Sequence, residues 1–335
     1  MKKAAEKVVK PSAELVKKYQ KILQLIRDES SNIIVGQDEV INGLLRALLC
    51  DGHVLLEGIP GIAKTLIIRT LAKVTGCHYS RIQFTADLLP TDLVGLTTYI
   101  REKDEFRVNK GPVFANYVIA DEINRSPPKT QSALLEAMQE RQVTIGNKTY
   151  PLPDPFFVMA TQNPIESSGV YPLPEAQIDR FLFKIKIVYP KLHEENEILT
   201  KNITLKRFDE VKLSSVTNPR EIIAMQEFIK KIYLSKEVEN YIIKLVDSKR
   251  NPNKYKINSG LYIEWGCSPR ASIGLYIASK AEALIKGSNY VTPAHVKAVA
   301  HDVMRHRILL NYEGQAENIK TDDIVTEVLS KVPIP

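Results

Sequence analysis

A glycine-rich segment is the first part of this sequence whose residue types and spacing could do chemistry. The segment GIPGIAKT begins at Gly58, follows the apolar run HVLLE and leads into the helical pattern TLIIRTLAKV. A chain that turns through glycines from a strand into a helix directs backbone N–H groups and the positive helix end at one point, where phosphate oxygens can bind. The segment therefore predicts a nucleotide site, although a plain strand-to-helix turn would also use glycine and proline.

Side chains at the end of this segment have predicted roles of their own. Lys64 is expected to contact the β- and γ-phosphates of ATP, and Thr65 is expected to ligate Mg²⁺. The usual form of such a loop has glycine where this chain has Ala63, so a methyl group must fit beside the phosphates. The predicted contact set for ATP is Gly58, Ile59, Pro60, Gly61, Ile62, Ala63, Lys64, Thr65 and Leu66.

Two adjacent acids follow the apolar residues VIA at the end of another predicted strand. Asp121 could hold Mg²⁺ through water, and Glu122 could orient and deprotonate a water molecule that attacks ATP. Asn163 ends the later run FFVMATQN and could position the same water, because the carboxyl ends of parallel strands meet at one crevice. Each has an alternative: the acids would suit a plain strand end, and Asn163 would suit a turn before Pro164.

Alternating strand and helix patterns place these residues on an α/β sheet. Short apolar runs alternate with helical patterns from HVLLEG to FLFKIKIVY. This alternation predicts parallel strands with helical crossovers on both faces, a doubly wound sheet. Two helices are predicted before the first strand. Hairpins are predicted in TTYIREKDEFRVN and QVTIGNKTY, outside the core of the sheet.

The C-terminal third of the chain has helical patterns only. Asn218, Ser268 and Thr292 each precede a proline, which pairs an N-cap residue with proline at the first helical position, and Gly287 suits the residue after a helix. We therefore expect four segments along the chain. They are a helical lead-in at residues 1–30, the α/β core at 31–190, a linker at 191–217 and an all-helical domain at 218–335.

Composition and simple patterns exclude several classes of protein. Only three cysteines occur, Cys50, Cys77 and Cys267, and their spacing forms neither a disulfide framework nor a zinc site. The sequence has no HExxH or GxSxG pattern, so a zinc protease and a serine hydrolase are not expected. It has neither an export signal nor an apolar run of about 18 residues for a membrane span, and a cytoplasmic location is expected. The net charge of +7, from 46 basic and 39 acidic residues, does not identify a partner.

Three stretches of the sequence together resemble the MoxR family of AAA+ ATPases. They are GIPGIAKT, the block from VIADEINRSPPK to VMATQNPIE, and YPLPEAQIDRFLFKI, and the similarity extends from about Ile33 to about Leu310. The resemblance implies an α/β nucleotide domain with a helical lid. It also implies a ring of identical subunits, usually a hexamer, that hydrolyses ATP with Mg²⁺ at the subunit boundaries.

The resemblance assigns roles to further residues. Arg180 resembles the arginine finger that reaches the γ-phosphate of a neighbouring subunit, and Arg125 is a second candidate that could instead pair with an acid of its own chain. Arg270 resembles the sensor-2 arginine, and its position in the first turn of a predicted helix independently suits an anion. Gly36, in the stretch VGQDEV, resembles a residue of the adenine pocket.

Members of this family act in the maturation or assembly of protein complexes, often with a partner that carries a von Willebrand factor A domain. The resemblance thus implies a chaperone-like machine that couples ATP hydrolysis to work on a client protein. Two alternatives stay open: a binding module gated by nucleotide without hydrolysis, which Glu122 argues against, and an ATPase that remodels DNA or RNA. The sequence has no basic stripe interleaved with aromatic residues, so nucleic acid is not the favoured partner.

Overall fold

The chain folds into two units in the structure, a computed structural model that describes residues 12–58, 64–162, 169–201 and 213–335. One unit is Gln24–Ile223, and the other combines residues 12–23 with Ala224–Pro335. Two helices precede the first strand, as predicted. Among the described helices, none is both long and apolar enough to span a membrane.

The first part of the chain contains nine strands and seven helices within its described residues. In chain order they are α1 Ala13–Ser31, α2 Asp38–Leu49, β1 Val54–Gly58, α3 Lys64–Val74, β2 Tyr79–Gln83, α4 Pro90–Val94, β3 Gly95–Ile100, β4 Glu105–Lys110, β5 Tyr117–Asp121, α5 Pro128–Glu140, β6 Gln142–Ile145, β7 Lys148–Pro151, β8 Phe157–Gln162, α6 Glu175–Ile178, β9 Phe183–Ile187 and α7 Leu192–Lys201.

Five parallel strands form the central sheet, in the order β2-β5-β8-β1-β9. Val54, Leu55 and Leu56 of β1 are successive residues that are all 0% exposed. Successive side chains of a strand point to opposite faces, so both faces of the sheet are covered, as parallel strands with helical crossovers require. The predicted doubly wound α/β sheet is confirmed. Its register brings the carboxyl ends of β2, β5, β8 and β1 to one edge.

Both predicted hairpins form outside this sheet. Strands β3 and β4 pair antiparallel as a two-stranded sheet, and β6 and β7 form another. Gly146 turns the second hairpin with φ of 59°, a left-handed conformation that glycine adopts without steric cost.

The second part of the chain is helical, as predicted. Its elements are α8 Pro219–Lys230, α9 Lys236–Arg250, β10 Ile263–Trp265, α10 Pro269–Ile285, α11 Pro293–Met304, β11 Leu309–Leu310, α12 Tyr312–Ala316 and α13 Thr321–Lys331. Helices α8, α10 and α11 begin at the three prolines expected to start them, and the Ser268 side chain accepts a hydrogen bond from the N–H of Arg270. The structure adds one antiparallel ribbon, β10–β11, because strands of two or three residues are too short to leave a period in the sequence.

The segment predicted as a linker contains helix α7, and its residues 202–212 lie outside the described part of the chain. The bounds of the lead-in at 1–30, the core at 31–190, the linker at 191–217 and the helical domain at 218–335 stay predictions. Residues 1–11 of the lead-in also lie outside the described residues.

Candidate functional site

The glycine-rich loop joins two elements as the sequence predicts. Strand β1 ends at Gly58 and helix α3 begins at Lys64, so both ends of the loop are described, whereas Ile59, Pro60, Gly61, Ile62 and Ala63 lie outside the described residues. The Lys64 ammonium donates a hydrogen bond to the carbonyl oxygen of Gly58. Thr65 and Leu66 follow in the first turn of α3 and are half-buried.

Lys64 lies in the electric field of three carboxylates. Burial lowers its pKa, and the negative charges of Asp121, Glu122 and Glu57 oppose that shift. Among the described residues, Lys64 forms no ion pair with any of them. Glu57 instead pairs with Lys184 at 2.7 Å. The sheet therefore brings one half-buried ammonium group close to the two acids predicted for hydrolysis.

Both carboxylate oxygens of Asp121 are held by neighbouring strands. The hydroxyl group of Thr161 on β8 donates to Oδ1 over 2.7 Å. Arg81 on β2 donates to Oδ2 from Nη2 over 2.7 Å and from Nε over 3.2 Å. Thr161 is 1% exposed, whereas the Arg81 side chain is 48% exposed. The inner contact is thus a buried hydrogen bond and the outer one a solvent-exposed ion pair, which is individually weak but fixes orientation.

Glu122 has a left-handed backbone with φ of 56°. Non-glycine residues in this region are strained by about 1–3 kcal/mol and persist only where surrounding contacts hold them. Here the Glu122 N–H donates to Thr161 Oγ1 over 2.8 Å. The Glu122 carboxylate accepts a hydrogen bond from Gln83 over 2.8 Å and forms an ion pair with Arg125 at 3.1 Å. The second candidate arginine therefore contacts an acid of its own chain, the alternative that the sequence left open.

Sequence analysis did not identify Arg81, Gln83 and Thr161. All three lie near the carboxyl ends of strands, but their partners depend on strand register. Gln83 on β2 is paired with Asp121 on β5, and Ala120 is paired with Ala160, so that Thr161 adjoins Asp121. Polar residues near strand ends were a signal in the sequence. The order of the strands determines which of these residues are in contact, and the sequence has no signal for that order.

Other predicted residues lie apart from this network. Arg180 is exposed and follows the short helix α6, and its N–H donates to the carbonyl oxygen of Gln177 over 3.2 Å. The described residues offer the Arg180 guanidinium no ion pair with Asp179 or any other acid. Asn163 lies outside the described residues, directly after β8.

Gly36 and Arg270 lie in different units. Gly36 has φ of 71°, and a Cβ atom built on it would come within 2.4 Å of the Glu194 side chain on α7. The Glu194 side chain of α7 therefore occupies the space that a side chain at position 36 would need. Arg270 is exposed in the first turn of α10, with Ser268 as the N-cap. Their roles towards adenine and phosphate stay predictions.

The residues at the sheet edge suit ATP and Mg²⁺ by their chemistry. A half-buried ammonium group at the start of a helix suits phosphate oxygens, and the oxygen donors Thr65 and Asp121 are of the kind that Mg²⁺ prefers.

Comparisons with known proteins agree with this site. Residues 53–183 match the ATPase family associated with various cellular activities (AAA), and residues 256–328 match the AAA lid domain. The chain is 46% identical to Chaperone MoxR1 of Mycobacterium tuberculosis over 309 residues, which cover 92% of this chain and 81% of that protein. It is 30% identical to Protein MoxR of Methylorubrum extorquens over 92% of this chain and 93% of that protein.

A solved structure supports the fold over nearly the whole length. A candidate ATPase from Cytophaga hutchinsonii superposes with a TM-score of 0.88 at 45% identity, covering 96% of this chain and 97% of that one. The sequence matches, the parallel sheet and the helical lid agree with one another. The chain therefore belongs to the MoxR family of AAA+ ATPases.

Proposed function

We propose that this protein binds ATP with Mg²⁺ at the carboxyl edge of its central sheet and hydrolyses it. The observation that carries the proposal is the electrostatic coupling of Lys64 to Asp121 and Glu122 at that edge. Phosphoryl transfer to water needs a cation on the phosphates, a carboxylate for the metal and a base for the water, and these three residues have those charges. The AAA family match supports the same chemistry.

Substrate binding would use the loop from Gly58 to Thr65. Its backbone N–H groups and the start of α3 would receive the phosphates, with Lys64 on the β- and γ-phosphate oxygens. Mg²⁺ held by Thr65 and, through water, by Asp121 would supply positive charge beside those oxygens. Thr161 and Arg81 keep the Asp121 carboxylate in one orientation before the substrate arrives.

Hydrolysis would use Glu122 as the general base. Glu122 takes a proton from water while the water oxygen attacks the γ-phosphorus and the bond to the β-phosphate oxygen breaks. Gln83 and Arg125 orient the Glu122 carboxylate. Asn163, one residue beyond the end of β8, would hold the water for this attack.

Completion of the site would require a second subunit. Arg180 is exposed and has no ion pair among the described residues, so its guanidinium is available to the γ-phosphate of a neighbouring chain. Arg125 is the weaker candidate because it is already engaged by Glu122. We therefore propose a homo-oligomeric ring, with a hexamer as the expected size, in which Arg270 of the lid and Gly36 complete the nucleotide contacts.

The work done by this ring would be remodelling or maturation of a protein complex. The relative from Mycobacterium tuberculosis is named a chaperone, which supports this assignment. By the family resemblance, a protein with a von Willebrand factor A domain would bring the client. ATP hydrolysis by the chain is the part of the proposal that can be tested first.

The test compares two lysines of the same helix. Lys64→Ala removes the ammonium at the start of α3, and Lys73→Ala removes an exposed one in its last turn. Isothermal titration calorimetry with ATP and Mg²⁺ is combined with steady-state phosphate release. We expect binding and release by the wild type and by Lys73→Ala, and loss of at least about 100-fold in turnover by Lys64→Ala.

Two results would contradict the proposal. If folded wild-type protein takes up no ATP with Mg²⁺, the nucleotide site is wrong. If ATP binds with Lys64-dependent affinity but no phosphate is released by the assembled protein, the nucleotide-gated binding module is the better description.

A further inference from the structure

A basic groove opens on the surface of the C-terminal unit. It has a volume of about 600 Å³ and is lined by residues of α9, of the turn after it and of the end of α13. Four of its lining residues are lysines and one is an aspartate, which gives the groove a net charge of +3. We call it the α9 groove; its lining is Asn240, Ile243, Lys244, Asp247, Lys254, Tyr255, Lys256, Lys331 and Pro333.

The one acid among the described lining residues, Asp247, is already hydrogen-bonded by its neighbours. Asp247 accepts hydrogen bonds from Tyr255 at 2.8 Å, Lys254 at 3.0 Å and Asn251 at 2.7 Å. These hydrogen bonds, led by the one from Tyr255, lower the pKa of Asp247 to about 2. Asp247 therefore stays ionised and holds Lys254 and Tyr255 as a fixed wall of the groove.

The other three lysines of the groove, Lys244, Lys256 and Lys331, are in no ion pair within the described part of the chain. Glu327, one helical turn before Lys331 on α13, accepts hydrogen bonds from the backbone and hydroxyl of Ser259 and from the N–H of Asn258. The charge of Lys331 still acts on Glu327 and contributes to its lowered pKa, but Lys244, Lys256 and Lys331 all remain outside any ion pair among the described residues, and such a surface attracts anions from solution.

The backbone at Lys256 is strained. Its φ is 55°, in the left-handed region that glycine and asparagine adopt more readily than lysine. This conformation ends the 3₁₀ turn Pro252–Tyr255, and it brings the lysine to the groove.

The chemistry of the groove favours acidic peptide over nucleic acid. Ile243 is 51% exposed, and Pro333 is exposed beside the lysines, so that the lining alternates cationic and apolar surface. Tyr255 is the one aromatic side chain in the described lining. Its ring carries Lys254 Nζ at 5.2 Å from the centroid and is not free to stack on a base. The lining residues that the structure describes also include no arginine, the residue that recognises phosphate bidentately.

We propose that the α9 groove binds an acidic segment of a partner protein, in which glutamate or aspartate residues are interspersed with apolar ones. The carboxylates pair with Lys244, Lys256 and Lys331, and an apolar side chain covers Ile243. A volume of about 600 Å³ lies within the range of roughly 300–1,000 Å³ found for ligand pockets. This inference rests on the C-terminal unit alone and does not depend on ATP hydrolysis.

The test uses a fluorescein-labelled peptide of glutamates interspersed with leucines, and a matched peptide with glutamine in place of glutamate. Binding to the full chain is measured by fluorescence anisotropy at low and at raised salt. The test variant Lys244→Gln/Lys256→Gln/Lys331→Gln removes the groove charges. The control Lys231→Gln/Lys286→Gln/Lys320→Gln changes the net charge equally at exposed lysines that do not line the groove.

We expect the acidic peptide to bind the wild type and the control alike, and to bind the groove variant about tenfold or more weakly. The affinity should also fall as salt rises, because exposed ion pairs are screened. Wild-type protein gives a second measurement that needs no variant. Bound peptide should protect Lys244, Lys256 and Lys331 from acetylation, as read by mass spectrometry, while Lys231 continues to react.

Four outcomes would overturn the proposal. They are no binding of the acidic peptide by the wild type, equal binding by the groove variant, equal loss in the control variant, and equal binding of the glutamine peptide. A labelled oligothymidylate provides the other class of anion. If it binds more tightly than the peptide and is weakened by the same three substitutions, the groove is a nucleic-acid site instead.

Discussion

The carboxyl edge of the central sheet and the α9 groove both concentrate charge, but they differ in how that charge is paired. At the sheet edge, each oxygen of Asp121 receives a donor from another strand, and Glu122 is held by Gln83 and Arg125. In the groove, three of four lysines form no ion pair among the described residues. One region fixes its charged atoms, and the other leaves them open to solvent.

This difference separates two uses of charge. Chemistry on a bound substrate needs reacting groups whose positions are already fixed, because reorientation during the reaction raises the barrier. Recognition of an outside anion needs charge that is not already neutralised, because an internal partner would have to be displaced first. The pairing of charges, more than their number, therefore distinguishes the proposed active site from the proposed docking surface.

The largest expected effect is that of removing Arg180. It tests whether a second chain supplies a positive charge to the site at the sheet edge of the first. Arg180→Ala should leave ATP affinity nearly unchanged but reduce turnover by about 10³-fold or more, because an arginine from a neighbour stabilises the charge of the transition state. Arg220→Ala, at an exposed arginine of α8, is the matched control and should keep wild-type turnover. Phosphate release and equilibrium binding of a fluorescent ATP analogue measure the two quantities.

Mixing two inactive variants sharpens this prediction. Arg180→Ala and Glu122→Gln chains in one ring create some interfaces with an intact base on one side and an intact arginine on the other. Activity should therefore reappear on mixing. If mixed rings form, as followed by mass photometry of tagged chains, and activity stays absent, Arg180 does not act across the interface.

A smaller effect is expected from the buried hydroxyl group that connects the two acids. Thr161→Val keeps the shape of the side chain but removes the donor to Asp121 and the acceptor for the Glu122 N–H. Turnover should fall about 10- to 100-fold, as is typical for residues that orient metal ligands, with ATP affinity little changed. The free energy of unfolding should also fall by about 1–3 kcal/mol, because a partly buried N–H loses its partner.

The control for this variant is a second buried threonine. Thr70 on α3 is 0% exposed, and its hydroxyl has no hydrogen-bond partner among the described residues. Thr70→Val should leave both turnover and the urea midpoint unchanged or slightly raised. Equal behaviour of the two variants would mean that the Thr161 hydroxyl has only a packing role.

The sequence predicts the elements of this site better than their connections. Lys64 could be identified because it lies at the end of a glycine-rich segment between a strand pattern and a helix pattern, and Asp121 and Glu122 because they follow an apolar run at a predicted strand end. The roles of Arg81 and Thr161 could not, because they depend on which strands are neighbours, and strand order is set by packing of the whole sheet. The strained backbone of Lys256 and the ribbon β10–β11 were also missed, since single residues and very short strands have no periodicity.

The smallest expected effect concerns Lys249, a lysine of α9 that is buried, whereas the lysines of the α9 groove are exposed. Lys249 is 1% exposed, and its ammonium donates to the carbonyl oxygen of Leu245 and contacts the sulfur of Met304. Burial lowers its pKa, an effect that the charge of Cys267 opposes and that of Arg250 reinforces. Unlike Lys64, it has no carboxylate among the described groups whose charge shifts its pKa, so its burial costs free energy without an evident gain in charge pairing.

Lys249→Met should therefore raise the free energy of unfolding by about 1–2 kcal/mol at pH 7.5, whereas Lys244→Met, at an exposed lysine of the groove, should leave it unchanged. The advantage of Lys249→Met should shrink towards pH 10. A lysine whose pKa is lowered by folding binds fewer protons in the folded than in the unfolded chain, so wild-type stability rises with pH up to the unfolded value of about 10.4. Urea denaturation at the two pH values measures both effects. A destabilised Lys249→Met would instead mean that the buried ammonium is a needed part of the C-terminal unit, and that unpaired lysines in this region are not all available for an outside anion.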